Sequence, residues 1–189
     1  WEGAVSYNKI NVAYTRYLTP EGGLVGELPR WADDFNLLTQ LYKQMVLTRL
    51  FDQKVVALQR TGRIGTYAPT LGQEAIGVAI GSLMQPDDVL VPYYRDTAVQ
   101  LLRGVRMEEI LLYWGGDERG SHYAEPAVAQ DFPVNIPIAT QALHACGVAT
   151  AFKIRGEHRV VVTTCGDGAT SKGDFLEEIG RASCRERVS

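Results

Sequence analysis

From about residue 34 onward apolar residues recur at helical spacing, and two short β-branched runs break the rhythm. Residues 1–32 show neither period and carry Pro20, Gly22, Gly23, Gly26 and Pro29, so they read as an arm. Asp33 or Asp34 then caps a long helix whose apolar positions include Leu37, Leu38, Leu41, Met45, Leu47, Leu50, Phe51, Val55 and Leu58. That face is wider than one layer of packing needs. A basic, glycine-containing loop from Gly62 to Thr70 leads into a second helix over Gln73 to Met84. Pro86-Asp87-Asp88 turns the chain into a strand, Val89 to Pro92, which ends in Tyr93-Tyr94-Arg95. Helices follow over Asp96 to Arg103 and Met107 to Trp114, then a polar, glycine-rich loop from Gly115 to Ile138. Thr140 to Lys153 is a helix of small residues, and Val160 to Thr164 is a second strand. It stops at Gly166-Asp167-Gly168, where a small polar residue opens another helix.

Strands separated by helices predict an α/β fold, a parallel sheet flanked by helices. Such a sheet needs more than two strands, and the chain ends one helix after the second. Residues 33–178 are therefore expected to form part of a larger domain, cut short after the Gly-Asp-Gly turn. The apolar pattern fails from Ile179 to Val188, IGRASCRERV, which matches one translated reading frame of a common sequencing-library adapter. Residues 179–189 are expected to be a non-native tail, and Arg181, Cys184, Arg185 and Arg187 receive no function. Trp1 leaves room for an upstream targeting segment.

A hydrophobic fraction of 46%, a charged fraction of 22% and a net charge of -3 over 189 residues are those of a globular chain with no call on nucleic acid. No apolar run reaches membrane-spanning length. Cys146, Cys165 and Cys184 are too few and too scattered for a disulfide framework or a zinc site, which predicts a reducing, intracellular setting.

In a parallel α/β sheet, ligands bind at the carboxyl ends of strands, where the next helix offers free N–H groups. Gly166 and Gly168 predict a sharp turn with close approach to a diphosphate, and Asp167 supplies a hard oxygen for the magnesium ion that neutralises it. GDGATSKGD lacks the third spaced glycine of the dinucleotide fingerprint and the Gly-Lys-Ser/Thr of a P-loop. Tyr94 and Arg95 end the other strand, on the same rim if the strands run parallel, and suit phosphate as a neutral and a bidentate donor. Each motif also has a plainer reading: a simple turn, a surface tyrosine pair, and for Glu74 a first-turn acid that complements the helix dipole. Pro137 and Thr140 or Gln141 likewise read as a rigid helix start. His122, His144 and His158 show no ligand spacing; His144 reads as packed or at an interface and His158 as solvated.

Taken together, TYAPTLGQEA, VLVPYYRD, LLYWGGDERG, NIPIATQALHACGVATA and CGDGATSKGD closely resemble one family, in order, from Asp34 to Glu178. It is the alpha subunit of the thiamine-diphosphate-dependent 2-oxo acid dehydrogenases, the decarboxylating first component of the large complexes. The likeness is greatest to its bacterial pyruvate dehydrogenase members, with branched-chain 2-oxo acid dehydrogenase as the sister possibility. The resemblance implies that Tyr94 and Arg95 bind the diphosphate, that Asp167 ligates magnesium, and that Gly168 and Ala169 line the diphosphate. Backbone groups at Ile138 and Ile136 are implied to touch the aminopyrimidine. A potassium site at Thr140, Gln141 and the Pro137 carbonyl is implied by branched-chain members, with Asn135 standing where a serine supplies a ligand there. A further magnesium ligand, an asparagine, and the catalytic histidine lie beyond this chain in the family, and the activating glutamate lies on the beta subunit. No catalytic residue is assigned here.

The expected activity is oxidative decarboxylation of pyruvate with transfer of the acetyl unit to a lipoyl group. The expected partners are a beta subunit, in a heterotetramer, a lipoyl-bearing acyltransferase and a 2-oxo acid. A cytoplasmic or mitochondrial-matrix setting is implied, and the 189 residues alone are expected to be inactive. A non-oxidative thiamine enzyme and a non-catalytic regulatory subunit are the rival readings.

Overall fold

A computed structural model describes residues 15–186, with the side chains of residues 179 and 181–186 left undescribed. The chain divides into two units, residues 1–39 and 40–189. Within the first, Leu18 and Leu24 form an isolated antiparallel bridge around a turn in which Gly22 adopts a φ of 86°. A 3-10 turn covers Arg30–Asp33. Of the two cap candidates Asp34 is the one used: its Oδ1 accepts the N–H groups of Asn36 and Leu37, both at 3.0 Å. The expected arm lies partly outside the described residues.

The long helix, α1, is Phe35–Arg60. Beyond the division its apolar face is shared: Phe51 and Val55 are buried with Ile64, Val105, Ile110, Trp114 and Val128, whereas Tyr42, Leu47 and Leu50 stay exposed. The basic loop after α1 folds back over a buried carboxylate. Asp52 Oδ1 accepts the Tyr67 hydroxyl and the Thr70 N–H, both at 2.8 Å. Burial and the neighbouring Asp52 charge both push the Tyr67 phenol well above its ordinary value.

Helix α2, Glu74–Leu83, packs on α3, Thr97–Arg103. The approach is close because Gly77 has no side chain: a Cβ there would come within 2.6 Å of the Ala98 Cβ. In chain order β1, Val89–Val91, links the two helices, with every residue buried. Helix α4, Met107–Trp114, ends the first half with Trp114 in the core. The loop expected from Gly115 to Ile138 contains 3-10 turns at Glu118–Ser121 and Pro126–Val128. Helix α5, Thr140–Arg155, lays Ala145 and Phe152 against Val89 and Val91, and β2 is Val161–Thr163.

The two strands are parallel, with Val89 opposite Val161, Leu90 opposite Val162 and Val91 opposite Thr163. On the other edge of β1, Leu90 O accepts the Phe132 N–H at 2.9 Å and Tyr93 bridges Asn135 in parallel. Asp131 anchors this edge by accepting the Leu90 N–H at 2.9 Å while buried against Arg103. The parallel, helix-flanked sheet is the α/β arrangement expected of a partial domain.

One local expectation fails. The Gly-Asp-Gly turn does not open directly into a helix; a 3-10 turn, Asp167–Ser171, intervenes before α6, Gly173–Glu186. Nor does the turn need glycine geometry, since Gly166 sits at φ -77° and ψ 160°, a conformation open to any L-residue. The tract from Ile179 continues as α6 backbone to Glu186; residues 187–189 lie outside the described residues.

Candidate cofactor-binding site

Because the strands are parallel, Tyr93-Tyr94-Arg95 and Cys165-Gly166-Asp167 leave the sheet at the same end, that of the strand carboxyl termini. Asp96 ties the two exits together. Its Oδ2 accepts the Tyr93 N–H at 3.1 Å and the Thr164 hydroxyl at 2.5 Å, so both strands converge on one carboxylate. Burial drives this carboxyl up to about 6, against the lowering effect of the Thr164 and Tyr93 hydrogen bonds.

Above this clamp lies a cavity of about 220 Å³ lined by Tyr93, Tyr94, Asn135, Ile138, Gln141, Gly166, Asp167, Gly168 and Ala169. Six of the residues singled out from sequence thus share one space: Tyr94, Ile138, Gln141, Asp167, Gly168 and Ala169. Asp167 is exposed, and the positions where Gly166 and Gly168 would carry a Cβ face open space. The glycines matter here as clearance for a ligand and not as a hinge.

The remaining candidates stand apart from that lining. Arg95 donates through Nη1 to the Pro69 carbonyl, and its guanidinium carbon lies 5.3 Å from the Tyr94 ring centroid. Ile136 lines a different cavity, of about 370 Å³, with Thr66, Tyr113, Trp114 and Asp117. Pro137 and Thr140 line neither of these two cavities. Glu74 takes the plainer role and extends it. One carboxylate oxygen accepts from Gly72 N–H at 3.0 Å and the other pairs with Arg49, whose hydrogen bond is the main reason the carboxyl is held below its ordinary range.

Gln141 is the most informative residue in the lining. It is 2% exposed, and its Nε2 donates to the Thr164 carbonyl at 2.9 Å. Its Oε1 is the buried side-chain oxygen left without a partner among the described residues. A buried amide oxygen costs free energy until a donor or cation reaches it. Asn135 adds a second amide in the same lining. The donor set therefore fits a cation or a hydrogen-bond donor beside an anion: a carboxylate, two amides and open glycine backbone.

Sequence reasoning missed Asp96, Thr164 and Tyr93 as parts of the site. Tyr93 donates its hydroxyl to Gln73 Oε1 at 2.6 Å, and burial raises its phenol above the usual value. The Asp after Tyr-Tyr-Arg was visible as a helix start, but nothing local signals that it faces Thr164, 68 residues further on.

Residues 42–185 match the model of a family described as dehydrogenase E1 component. The chain belongs to that family. Its relatives include pyruvate dehydrogenase E1 component subunits alpha from Acholeplasma laidlawii, 42% identical over 77% of this chain and 42% of the relative. That of Mycoplasma genitalium is 35% identical over 93% of this chain and 49% of its own length, and that of Staphylococcus aureus 38% identical over 88% and 44%. The chain thus spans less than half the length of each of these curated relatives.

Proposed function

We propose that this chain supplies the diphosphate-anchoring wall of a thiamine-diphosphate-dependent pyruvate dehydrogenase, as part of its alpha subunit. One observation carries the reading: the parallel strand pair brings Tyr94 and Asp167, 73 positions apart in the chain, to a single cavity. Pyruvate is favoured over a branched-chain substrate by the names of the relatives.

In this reading Asp167 would hold magnesium through its carboxylate, together with the asparagine that the family supplies from beyond these residues. Gly168 and Ala169 let the diphosphate approach the backbone, and the Tyr94 hydroxyl donates to it. Arg95, with five donors on its fork, keeps donors to spare beyond the one spent on Pro69. Ile138 flanks the aminopyrimidine end from the lining, and Ile136, whose side chain lines the other cavity, would contribute backbone groups only. The Gln141 oxygen, without a partner among the described residues, would serve a potassium ion, with Thr140 and the Pro137 carbonyl as the further ligands that the resemblance implies. Thiamine diphosphate, when bound, supplies the electron sink for the carbanion left by decarboxylation of a 2-oxo acid. The residues of this chain anchor and orient the anionic end of that group.

A beta subunit completes the site, and exposed apolar residues on α1 and α2 (Tyr42, Leu50, Ile76 and Leu83) give it surface to bind. The acetyl unit then passes to a lipoyl group on an acyltransferase, in a bacterial cytoplasm. Asp167→Ala in the complete alpha subunit, assembled with its beta partner, is expected to abolish magnesium-dependent thiamine diphosphate binding and lower pyruvate decarboxylation at least 100-fold, the size of about 2.7 kcal/mol. Unchanged decarboxylation would overturn the assignment and favour a non-catalytic subunit.

A further inference from the structure

The Gly-Asp-Gly tract contains one cation that the diphosphate reading does not use. Lys172 follows the 3-10 turn and reaches back across the site, where its Nζ donates to the Ile138 carbonyl at 2.9 Å. Asp174 holds the same ammonium at 2.7 Å, which fixes its direction. A lysine paired on one side and bonded to backbone on the other is a strut between two segments, because its three donors can be shared without either bond displacing the other.

The segment it reaches needs such support. Ala139, one residue past the bonded carbonyl, is the non-glycine residue with positive φ among the described residues, at φ 66° and ψ -4°. It is fully buried and serves as the N-cap of α5 without a side-chain hydrogen bond. A left-handed alanine persists only where its surroundings over-determine it. Ile138 on one side of Ala139 and Gln141 on the other both line the cavity. The backbone at 138–139 therefore sets how far Ile138 stands from Asp167.

We propose that Lys172 is a positioning residue that holds Ile138 and the left-handed Ala139 after it against the Gly-Asp-Gly turn and so sets the width of the cofactor cavity. This rests on the thiamine diphosphate reading for the identity of the ligand, but not for the strut itself. A carbonyl oxygen has a second lone pair, so the Lys172 bond leaves Ile138 O able to accept from a bound ligand as well.

The test begins without any ligand. Amide hydrogen exchange on the full chain reads Thr140 and Ala142, whose N–H groups bond to Pro137 O and Ala139 O. Lys172→Met is expected to speed exchange at these amides at least tenfold while leaving Val89–Val91 unchanged, and Lys172→Arg to restore protection. Asp174→Asn, which removes only the anchor, is expected to move the same amides in the same direction, and it decides the matter if Lys172→Met loosens the whole fold. Unchanged protection at Thr140 and Ala142 in both variants, or equal loss with Arg and Met, overturns the strut. In the assembled enzyme, Lys172→Met is expected to raise the thiamine diphosphate concentration for half-saturation about tenfold with kcat within twofold. Wild-type assembly that ignores thiamine diphosphate would sink the cofactor reading and leave the exchange result standing.

Discussion

At the exits of the two strands the Asp96 carboxylate is 5% exposed and accepts two hydrogen bonds, and no cation pairs with it among the described residues. Its carboxyl is raised from 3.8 to about 6 by burial, so the folded chain binds this proton more tightly than the unfolded one. The stabilisation belongs to the protonated form: it is complete below the unfolded value and is lost as pH rises through the folded one. A shift of that size is worth about 2 kcal/mol between pH 4 and pH 7. Urea midpoints of the wild type are therefore expected to gain a contribution from this group as pH falls from 7 to 4, and Asp96→Asn to remove it. An identical pH slope in wild type and variant would refute the assignment. This residue also shows where sequence reading stops. Tyr94 and Asp167 stood out because each ends a β-branched run, while Asp96 looked like an ordinary helix start until Thr164 was brought beside it.

Among the elements, β1 is held on both edges by different means. On one side it pairs with β2 through the backbone; on the other, Asp131 accepts the Leu90 N–H and receives two bonds from Arg103, at 2.5 and 3.0 Å. Arg103 also donates to the Asp88 carbonyl at 2.6 Å and the Gln85 carbonyl at 3.1 Å, so one guanidinium closes the turn before the strand and the loop beside it. The two side chains are 5% and 1% exposed. Removing the cation leaves a buried, uncompensated carboxylate, and Arg103→Ala is expected to cost about 3–5 kcal/mol by denaturant unfolding. A loss below about 1 kcal/mol, the worth of a surface pair, would show that water or another group replaces it. Helix and strand positions were legible from periodicity, with Met107–Trp114 recovered to the residue and both strands to within two positions at either end. The 3-10 turn at Asp167–Ser171 was not, because a polar, small-residue tract satisfies helix-start rules whether or not a regular helix follows.

For the whole molecule, the question is how much of a binding site these residues make alone. No group of three or more His, Cys, Asp or Glu side chains placed to hold a metal occurs among the described residues, and Asp167 is exposed. Calorimetric titration of the 189-residue chain with thiamine diphosphate and magnesium is accordingly expected to show no micromolar saturation, whereas the assembled enzyme should saturate. Micromolar binding by the chain alone would mean that the cavity is sufficient without partner groups. No described helix is long and apolar enough to cross a membrane.

By itself the sequence determined the element order, the parallel α/β class and the two rim motifs, since these depend on local period, β-branching and the residues that end each run. It also carried the family, because motif order survives without coordinates. Only the tertiary structure decided that Asp96 clamps the strand ends, that the Gln141 oxygen is buried with no partner among the described residues, and that Lys172 spans to Ile138. Those facts arise from contacts between residues 23 to 68 positions apart. Such pairings depend on packing energy summed over the whole unit, which no local pattern records.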